Sequence, residues 1–75
     1  MKQYHFRISI SYQEFEKLYR VPNTVVKVRS EQGAMLQLPA MRFVPFFTQL
    51  GVRGYFELQL NDDNKFQKLI FKLQF

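Results

Sequence analysis

The feature that most constrains the fold of this chain is a strict alternation of apolar and polar residues near its start. Within the segment "YHFRISIS", every second side chain is apolar or aromatic, at Tyr4, Phe6, Ile8 and Ile10. A period of two residues is typical of a β-strand that has one face against a core and one face in water. The pattern therefore predicts a first strand that is buried on one side.

A helix is predicted to follow this strand. Ser11 stands three residues before Glu14, which is the spacing of a capping box, in which side chains bond the free backbone amides of the first turn. The next apolar side chains fall on one helical face, at Phe15, Leu18 and Tyr19. We expect a helix from Tyr12 to Arg20 that ends at the segment "VPN", because proline cannot continue it.

Alternation returns twice, each time in two runs that are separated by turn residues. The first pair of runs lies on either side of Gly33, and its inward members are Val26, Val28, Leu36 and Leu38. The second pair surrounds "NDDN" at 61–64, and its first run has one side formed by Gly54, Phe56, Leu58 and Leu60. In the first turn, "EQG", Gly33 is free to take positive φ, and in the second, Asn and Asp side chains can bond their own backbone. Both pairs are therefore predicted to be hairpins.

The last strand is predicted to run towards Phe75. One parity of this strand is apolar, at Leu69, Phe71, Leu73 and Phe75, whereas Phe66 has the opposite parity. A β-bulge inserts one extra residue and reverses the parity beyond it. We therefore expect a bulge near Gln67 and Lys68, which lets Phe66 also reach the core.

The segment "LPAMRFVPFFTQLG" between the hairpins has helical spacing of its apolar residues, at Phe43, Phe46, Phe47 and Leu50. Gly51 is a suitable stop, since glycine readily takes the left-handed conformation found at helix ends. Pro45 lies inside the segment and removes a backbone donor. We expect a turn that runs into a second short helix, or a kinked helix.

These elements define an α+β fold with the order β-α-β-β-α-β-β, built on a mostly antiparallel five-stranded sheet with helices on one face. The alternative is a small coiled half-barrel, because Gly54 inside a strand is typical of a sharp bend. A chain of 75 residues allows one domain, residues 1–75. The predicted core consists of Phe6, Ile8, Ile10, Phe15, Leu18, Val26, Val28, Leu36, Leu38, Phe46, Phe56, Leu58, Leu69 and Phe71.

Composition argues against several classes of protein. The chain has no cysteine, which excludes disulfides and thiolate zinc sites and favours a reducing cytoplasm. It shows neither a signal peptide nor an apolar run long enough for a membrane span. With one histidine and no glycine-rich phosphate loop, we expect no enzyme, catalytic residue, cofactor or metal site. "NDDN" lacks the spacing of a calcium loop and is interpreted as a turn.

The charges are unevenly distributed. The formal net charge is +5, and strand parity places all of this excess on the sheet face opposite the apolar one, where Glu57 is the only acidic residue. The basic residues assigned to that face are Arg7, Lys27, Arg29, Arg53, Lys68 and Lys72, and they share it with His5 and Tyr55. This predicted basic face is the candidate binding surface.

Two functions are compatible with these patterns. The first is a non-enzymatic protein-interaction or assembly module, with an unidentified protein partner or self-association, because edge strands expose unpaired backbone groups. The alternative is weak single-stranded nucleic-acid binding, in which the cations contact phosphates and Tyr55 stacks on a base. Half-buried strands also need polar residues on their outer side, so solvation alone is a third explanation of the charge.

Several segments together resemble a known family. They are "FEKLYR", "VKVRSEQGAMLQLPA", "GVRGYFELQL" and "NKFQKL", with Pro45, Phe46, Thr48 and Gly51 between them. The set resembles the bacterial domain of unknown function 2835, small single-domain proteins found mainly in gammaproteobacteria. The resemblance implies a small bacterial cytoplasmic protein and offers no activity or catalytic residue to transfer. Tyr55 and Leu50 depart from the family, in which polar or basic residues are more usual at these positions.

Overall fold

The computed structural model describes residues 1–74 and has the predicted order of elements. The strands are β1 (Lys2–Ile10), β2 (Val25–Arg29), β3 (Met35–Pro39), β4 (Val52–Leu60) and β5 (Phe66–Leu73), with helix α1 (Tyr12–Arg20) after β1 and a 3-10 helix (Ala40–Phe46) after β3. Phe75, predicted to end the last strand, lies outside the described residues. The α+β class is confirmed.

All strand pairs are antiparallel, and the strands are divided between two sheets. A three-stranded sheet has the order β1-β4-β5, and a two-stranded sheet consists of β2 and β3. The division differs from the single sheet that we expected, because β2 lies beside β1 without pairing with it. The backbone N–H of Glu31, in the turn after β2, donates to the carbonyl of His5 at 2.7 Å, and among residues 1–74 no ladder joins β1 to β2.

The core lies between the two sheets and the two helices. Phe6, Phe43 and Phe56 are fully buried, and the Phe43 ring meets both others edge-on with centroids 5.7–6.2 Å apart. Predicted core residues that are buried are Phe6, Ile8, Phe15, Val26, Val28, Leu36, Leu38, Phe56 and Leu58. Others are partly buried against this cluster, namely Ile10, Leu18, Phe46 and Leu69.

Phe71 was predicted to lie in the core, but the structure leaves it exposed. Its side chain is 40% exposed, although its ring stacks on Phe46 with centroids 6.0 Å apart. β5 is an edge strand, and in the described sheet it has a neighbouring strand, β4, on one side only. Phe71 is therefore open to solvent on the side away from β4.

The first helix has the predicted bounds and cap. The hydroxyl oxygen of Ser11 accepts the backbone N–H of Glu14 at 3.2 Å, and the same hydroxyl lies 3.2 Å from the Glu14 carboxylate. Phe15 is the buried residue of this helix. Capping at the start and burial on one face together explain why this short segment is helical.

The second helix is shorter than its apolar spacing indicated. It ends at Phe46, one residue after Pro45, which has no N–H to donate. Leu50, predicted on the apolar face, is 57% exposed and lies in a turn closed by bonds between the backbones of Thr48 and Gly51. Gly51 has φ +94°, and a Cβ there would overlap the backbone of Ile10.

The last hairpin contains the predicted bulge and one that was not predicted. Gln59 pairs with Lys68 and Leu60 with Phe66, so Gln67 is the extra residue, as expected. A second register shift lies between two neighbouring pairs, Phe56 with Phe71 and Tyr55 with Leu73. Lys72 is therefore the extra residue of a second bulge. Leu73, which shares the sequence parity of Leu69 and Phe71, therefore lies opposite Tyr55 and is exposed.

The turn before β5 is an Asx turn, as predicted. The Asn61 side-chain oxygen accepts the backbone N–H groups of Asp63 at 2.9 Å and Lys65 at 3.0 Å. Asn64 takes positive φ, +62°, which asparagine tolerates better than most residues. Within residues 1–74, neither helix has the length and hydropathy needed to cross a membrane.

Candidate functional site

The predicted basic face is divided by the two sheets. Five of its members lie on the polar side of the three-stranded sheet, here called the outer face: Arg7, Arg53, Tyr55, Lys68 and Lys72. Lys27 and Arg29 are exposed on β2 in the other sheet, where they pair with Gln37 and Met35. The positive charge is therefore spread over two surfaces and is less concentrated than strand parity predicted.

Glu57 lies at the centre of the outer face and is only 7% exposed. Its carboxylate accepts from the Gln59 amide at 2.6 Å and lies 3.0 Å from His5 Nε2 and 3.4 Å from Lys72 Nζ. The hydrogen bond from Gln59, with those from His5 and Lys72 and the Lys72 charge, lowers the pKa of Glu57 below its ordinary value. The cations and amides nearest the centre of this face thus already have a partner.

His5 is held as one tautomer by its neighbours. The Gln32 amide lies 3.1 Å from His5 Nδ1, and the Gln32 oxygen accepts the His5 backbone N–H at 3.0 Å. Because the oxygen of Gln32 is occupied, its NH₂ group donates to Nδ1, and the ring proton resides on Nε2, facing Glu57. His5 is therefore tied to the turn after β2 by both its backbone and its ring.

Tyr55 is partly enclosed by the same network. Its hydroxyl donates to Glu31 at 2.5 Å, its ring stacks on His5 with centroids 6.0 Å apart, and the Arg7 guanidinium lies 6.0 Å from its ring centroid. The hydrogen bond to Glu31, with some desolvation, raises the pKa of Tyr55 above its ordinary value of 10.0. Glu31 brings a second carboxylate to the outer face, which strand parity did not indicate.

A second surface lies along the free edge of β3. Hydrogen bonds join Ser30 N–H to the Ala34 carbonyl and Ala40 N–H to the Thr24 carbonyl at the two ends of the β2–β3 ladder. Since backbone groups in an antiparallel ladder alternate in direction, those of Leu36 and Leu38 face β2. The backbone groups of Met35 and Gln37 therefore point away from β2, towards open space.

A cleft of about 420 Å³ runs beside this edge. One wall is β3, and the floor is formed by inward-facing residues at the end of the three-stranded sheet, namely Tyr4, Leu58, Leu60 and Phe66. Asn64 and Arg42 also line it. We call this surface, with the outward edge of Met35 and Gln37, the β3 cleft. It combines unpaired backbone groups with an apolar floor.

Arg42 is the charged residue that lines the β3 cleft. Its guanidinium carbon lies 3.9 Å from the centroid of the Phe66 ring, and within residues 1–74 it forms no ion pair. Arg42 is not among the residues that strand parity assigned to the predicted basic face, so sequence reasoning missed it. The sequence alone does not indicate that Arg42 contacts Phe66, because the two residues lie on different elements that meet only through tertiary packing.

The β3 cleft can supply backbone hydrogen bonds, apolar contact and one cation. The first two of these are what an extended polypeptide that adds to a sheet edge uses. In the part of the chain that the structure describes, no group of three His, Asp or Glu side chains is arranged as a metal site.

Comparison with known proteins identifies a family and no further relative. The profile of the family described as protein of unknown function (DUF2835) matches residues 2–70. No curated protein and no solved structure matches the chain. The match covers β1 to β4, both helices and the first part of β5. The chain therefore belongs to the DUF2835 family.

Proposed function

We propose that the protein is a non-enzymatic interaction module that binds an extended segment of a partner protein at the β3 cleft. The single observation that carries the proposal is the outward-facing edge of Met35 and Gln37 beside an apolar cleft. An added strand would bond this edge and place every second side chain on the cleft floor. A bacterial cytoplasmic location belongs to the same proposal and is supported by the absence of cysteine.

The edge of β1 that faces away from β4 is a less suitable docking site than the edge of β3. At His5 the backbone N–H and carbonyl of β1 are bonded to Gln32 and Glu31, so a partner strand could not pair there without displacing the turn. In the described part of the chain, no turn bonds to the outward backbone groups of Met35, and the residue is 56% exposed. Exposed edges without protection pair readily with other chains.

A selected peptide and a pair of proline variants test this proposal. Peptides are selected from a random displayed library against the folded protein, and their affinities are measured for Gln37→Pro and Lys27→Pro. These residues are cross-strand partners whose backbone groups both point out of the hairpin, so the variants are matched. Gln37→Pro should weaken binding by about tenfold or more, because proline removes the donor that a partner strand needs. Lys27→Pro should bind like the wild type.

Equal weakening by both proline variants, or no selected peptide, would contradict the proposal. Circular dichroism of each variant establishes that the fold is retained. If Gln37→Pro does not fold, amide exchange of the wild type replaces it: peptide binding should slow exchange at Met35 and Gln37.

A second function is favoured by the outer face, which carries Arg7, Arg53, Lys68 and Lys72 and on which Arg7 is the cross-strand partner of Tyr55. Such a face is suited to single-stranded nucleic acid, with affinity falling by about 0.7 log units per log unit of salt for each phosphate contact. Labelled oligonucleotides titrated at two salt concentrations test it, and Tyr55→Ala should cost roughly 1–3 kcal/mol of binding if a base stacks on the ring. Absence of binding at high micromolar protein would exclude this second function.

A further inference from the structure

We propose that the segment bound at the β3 cleft is acidic and that Arg42 binds its carboxylate. This inference rests on the proposed function, because it specifies the chemistry of the partner that would lie beside β3. Arg42 follows the end of β3 by three residues and lines the cleft, so a chain paired with β3 passes close to its guanidinium.

The position of Arg42 leaves its hydrogen-bond donors available. The guanidinium lies over the Phe66 ring at 3.9 Å, and such stacking occupies a face of the planar group while its N–H donors project in the plane. A carboxylate can accept two of these donors side by side. Phe66 thus orients Arg42 as a receptor for an anion and does not neutralise it.

The charge of Arg42 indicates which kind of partner segment the cleft favours. Arg42 has no ion pair within residues 1–74, whereas Arg20, on the helix surface, lies 3.7 Å from Glu16. The chain as a whole carries a formal charge of +5. A cation that lines an apolar cleft without a counter-charge favours a ligand with an anionic group, and a positive chain attracts an acidic segment during encounter.

The cleft floor specifies the residues on either side of the carboxylate. Side chains of a strand alternate between its two faces, so residues two positions apart on the partner face the floor together. Tyr4, Leu58 and Leu60 are the contacts that this floor offers. The partner segment is therefore extended, apolar at alternate positions, and carries an Asp or Glu in the same alternating set.

The test uses three blocked peptides of about nine residues, which is within the usual strand length. Each alternates valine with threonine, and the central valine is replaced by glutamate, glutamine or lysine. Acetylated and amidated ends make the glutamate side chain the only carboxylate. Binding is measured to the wild type, to Arg42→Gln, and to Arg53→Gln, which removes an exposed arginine from the outer face as a matched control.

The wild type and Arg53→Gln should bind the glutamate peptide about tenfold more tightly than the glutamine peptide, as expected of a charge-assisted hydrogen bond, and the lysine peptide most weakly. Arg42→Gln should lose this preference, and added salt should reduce it. If the peptides bind and protect the Met35 and Gln37 amides without a glutamate preference that depends on Arg42, this inference is wrong and the proposed function stands. If no peptide binds, or if a second copy of the chain protects these amides instead, both are wrong.

Discussion

The outer face and the β3 cleft contain similar groups, and they differ in whether those groups are satisfied within the chain. On the outer face, Glu57 is bonded to His5 and Lys72, and Tyr55 to Glu31. In the β3 cleft, the backbone edge of Met35 and Gln37 and the Arg42 guanidinium have no such partner among residues 1–74. The comparison shows that charged groups gathered on one face can be largely satisfied by one another within the chain.

The largest expected effect comes from the core that supports both regions. Phe56 is fully buried and its ring contacts those of Phe6, Phe43, Phe46 and Phe71. Phe56→Ala should lower the free energy of unfolding by about 3–5 kcal/mol, as truncation of a buried aromatic side chain does. Chemical denaturation measures this loss.

Leu73→Ala is the matched control, because Leu73 is an exposed residue of β5. Its effect should stay within about 0.5 kcal/mol, as is usual for surface substitutions. A loss well under 1 kcal/mol for Phe56→Ala would mean that the two regions do not share one core.

A smaller effect is expected from the centre of the outer face. The pKa of Glu57 lies below its ordinary value of 4.5 because Gln59, His5 and Lys72 all favour its charged form. A pKa that is lower in the folded state contributes stability in full above the unfolded value, and this contribution is lost as the pH falls through the folded pKa. Wild type should be more stable than Glu57→Gln at neutral pH, and the difference should shrink below about pH 4.5.

Denaturation of the wild type and Glu57→Gln across this pH range measures the difference. A stability difference that does not change with pH would show that Glu57 is not bound as the structure describes. The outer face would then resemble the β3 cleft in having unsatisfied charge, and the contrast between the two regions would be lost.

The smallest effect concerns the contact between Tyr55 and Glu31. Because the hydroxyl of Tyr55 donates to the Glu31 carboxylate, ionisation of the phenol is opposed and its pKa is raised. Glu31→Gln should lower the pKa of Tyr55 towards 10.0, as measured from the chemical shifts of its ring during a titration. The rings of the remaining tyrosines serve as internal controls, and an unchanged Tyr55 titration would contradict the contact.

Local patterns in the sequence predicted most of the fold. The alternation from Tyr4 to Ile10, the capping box at Ser11 and the bulge at Gln67 each depend on residues close together in the chain, and each is confirmed. The division into two sheets was not predictable in this way. It depends on how β2 packs beside β1 without pairing, where the turn after β2 bonds to His5 across more than twenty residues of sequence.

The candidate sites were less predictable because they depend on side chains that meet over long distances in the sequence. Parity placed Arg7, Tyr55 and Lys72 on one face, but it could not show that Glu31 reaches Tyr55 or that β2 carries Lys27 and Arg29 away. The extra residue at Lys72 depends on the close approach of β5 to Gly54, where a Cβ would lie 2.5 Å from the Phe71 ring. The β3 cleft exists only once both sheets are packed.

The most direct test of the central claim is amide hydrogen exchange at individual residues of β3, without and with a selected peptide. In the free protein, the amides of Leu36 and Leu38 should exchange slowly because they face β2, whereas those of Met35 and Gln37 should exchange fast. Peptide binding should slow Met35 and Gln37 selectively and leave His5 unchanged. The account would be contradicted if Met35 and Gln37 were already protected in the free protein, or if a bound peptide left their exchange rates unaltered.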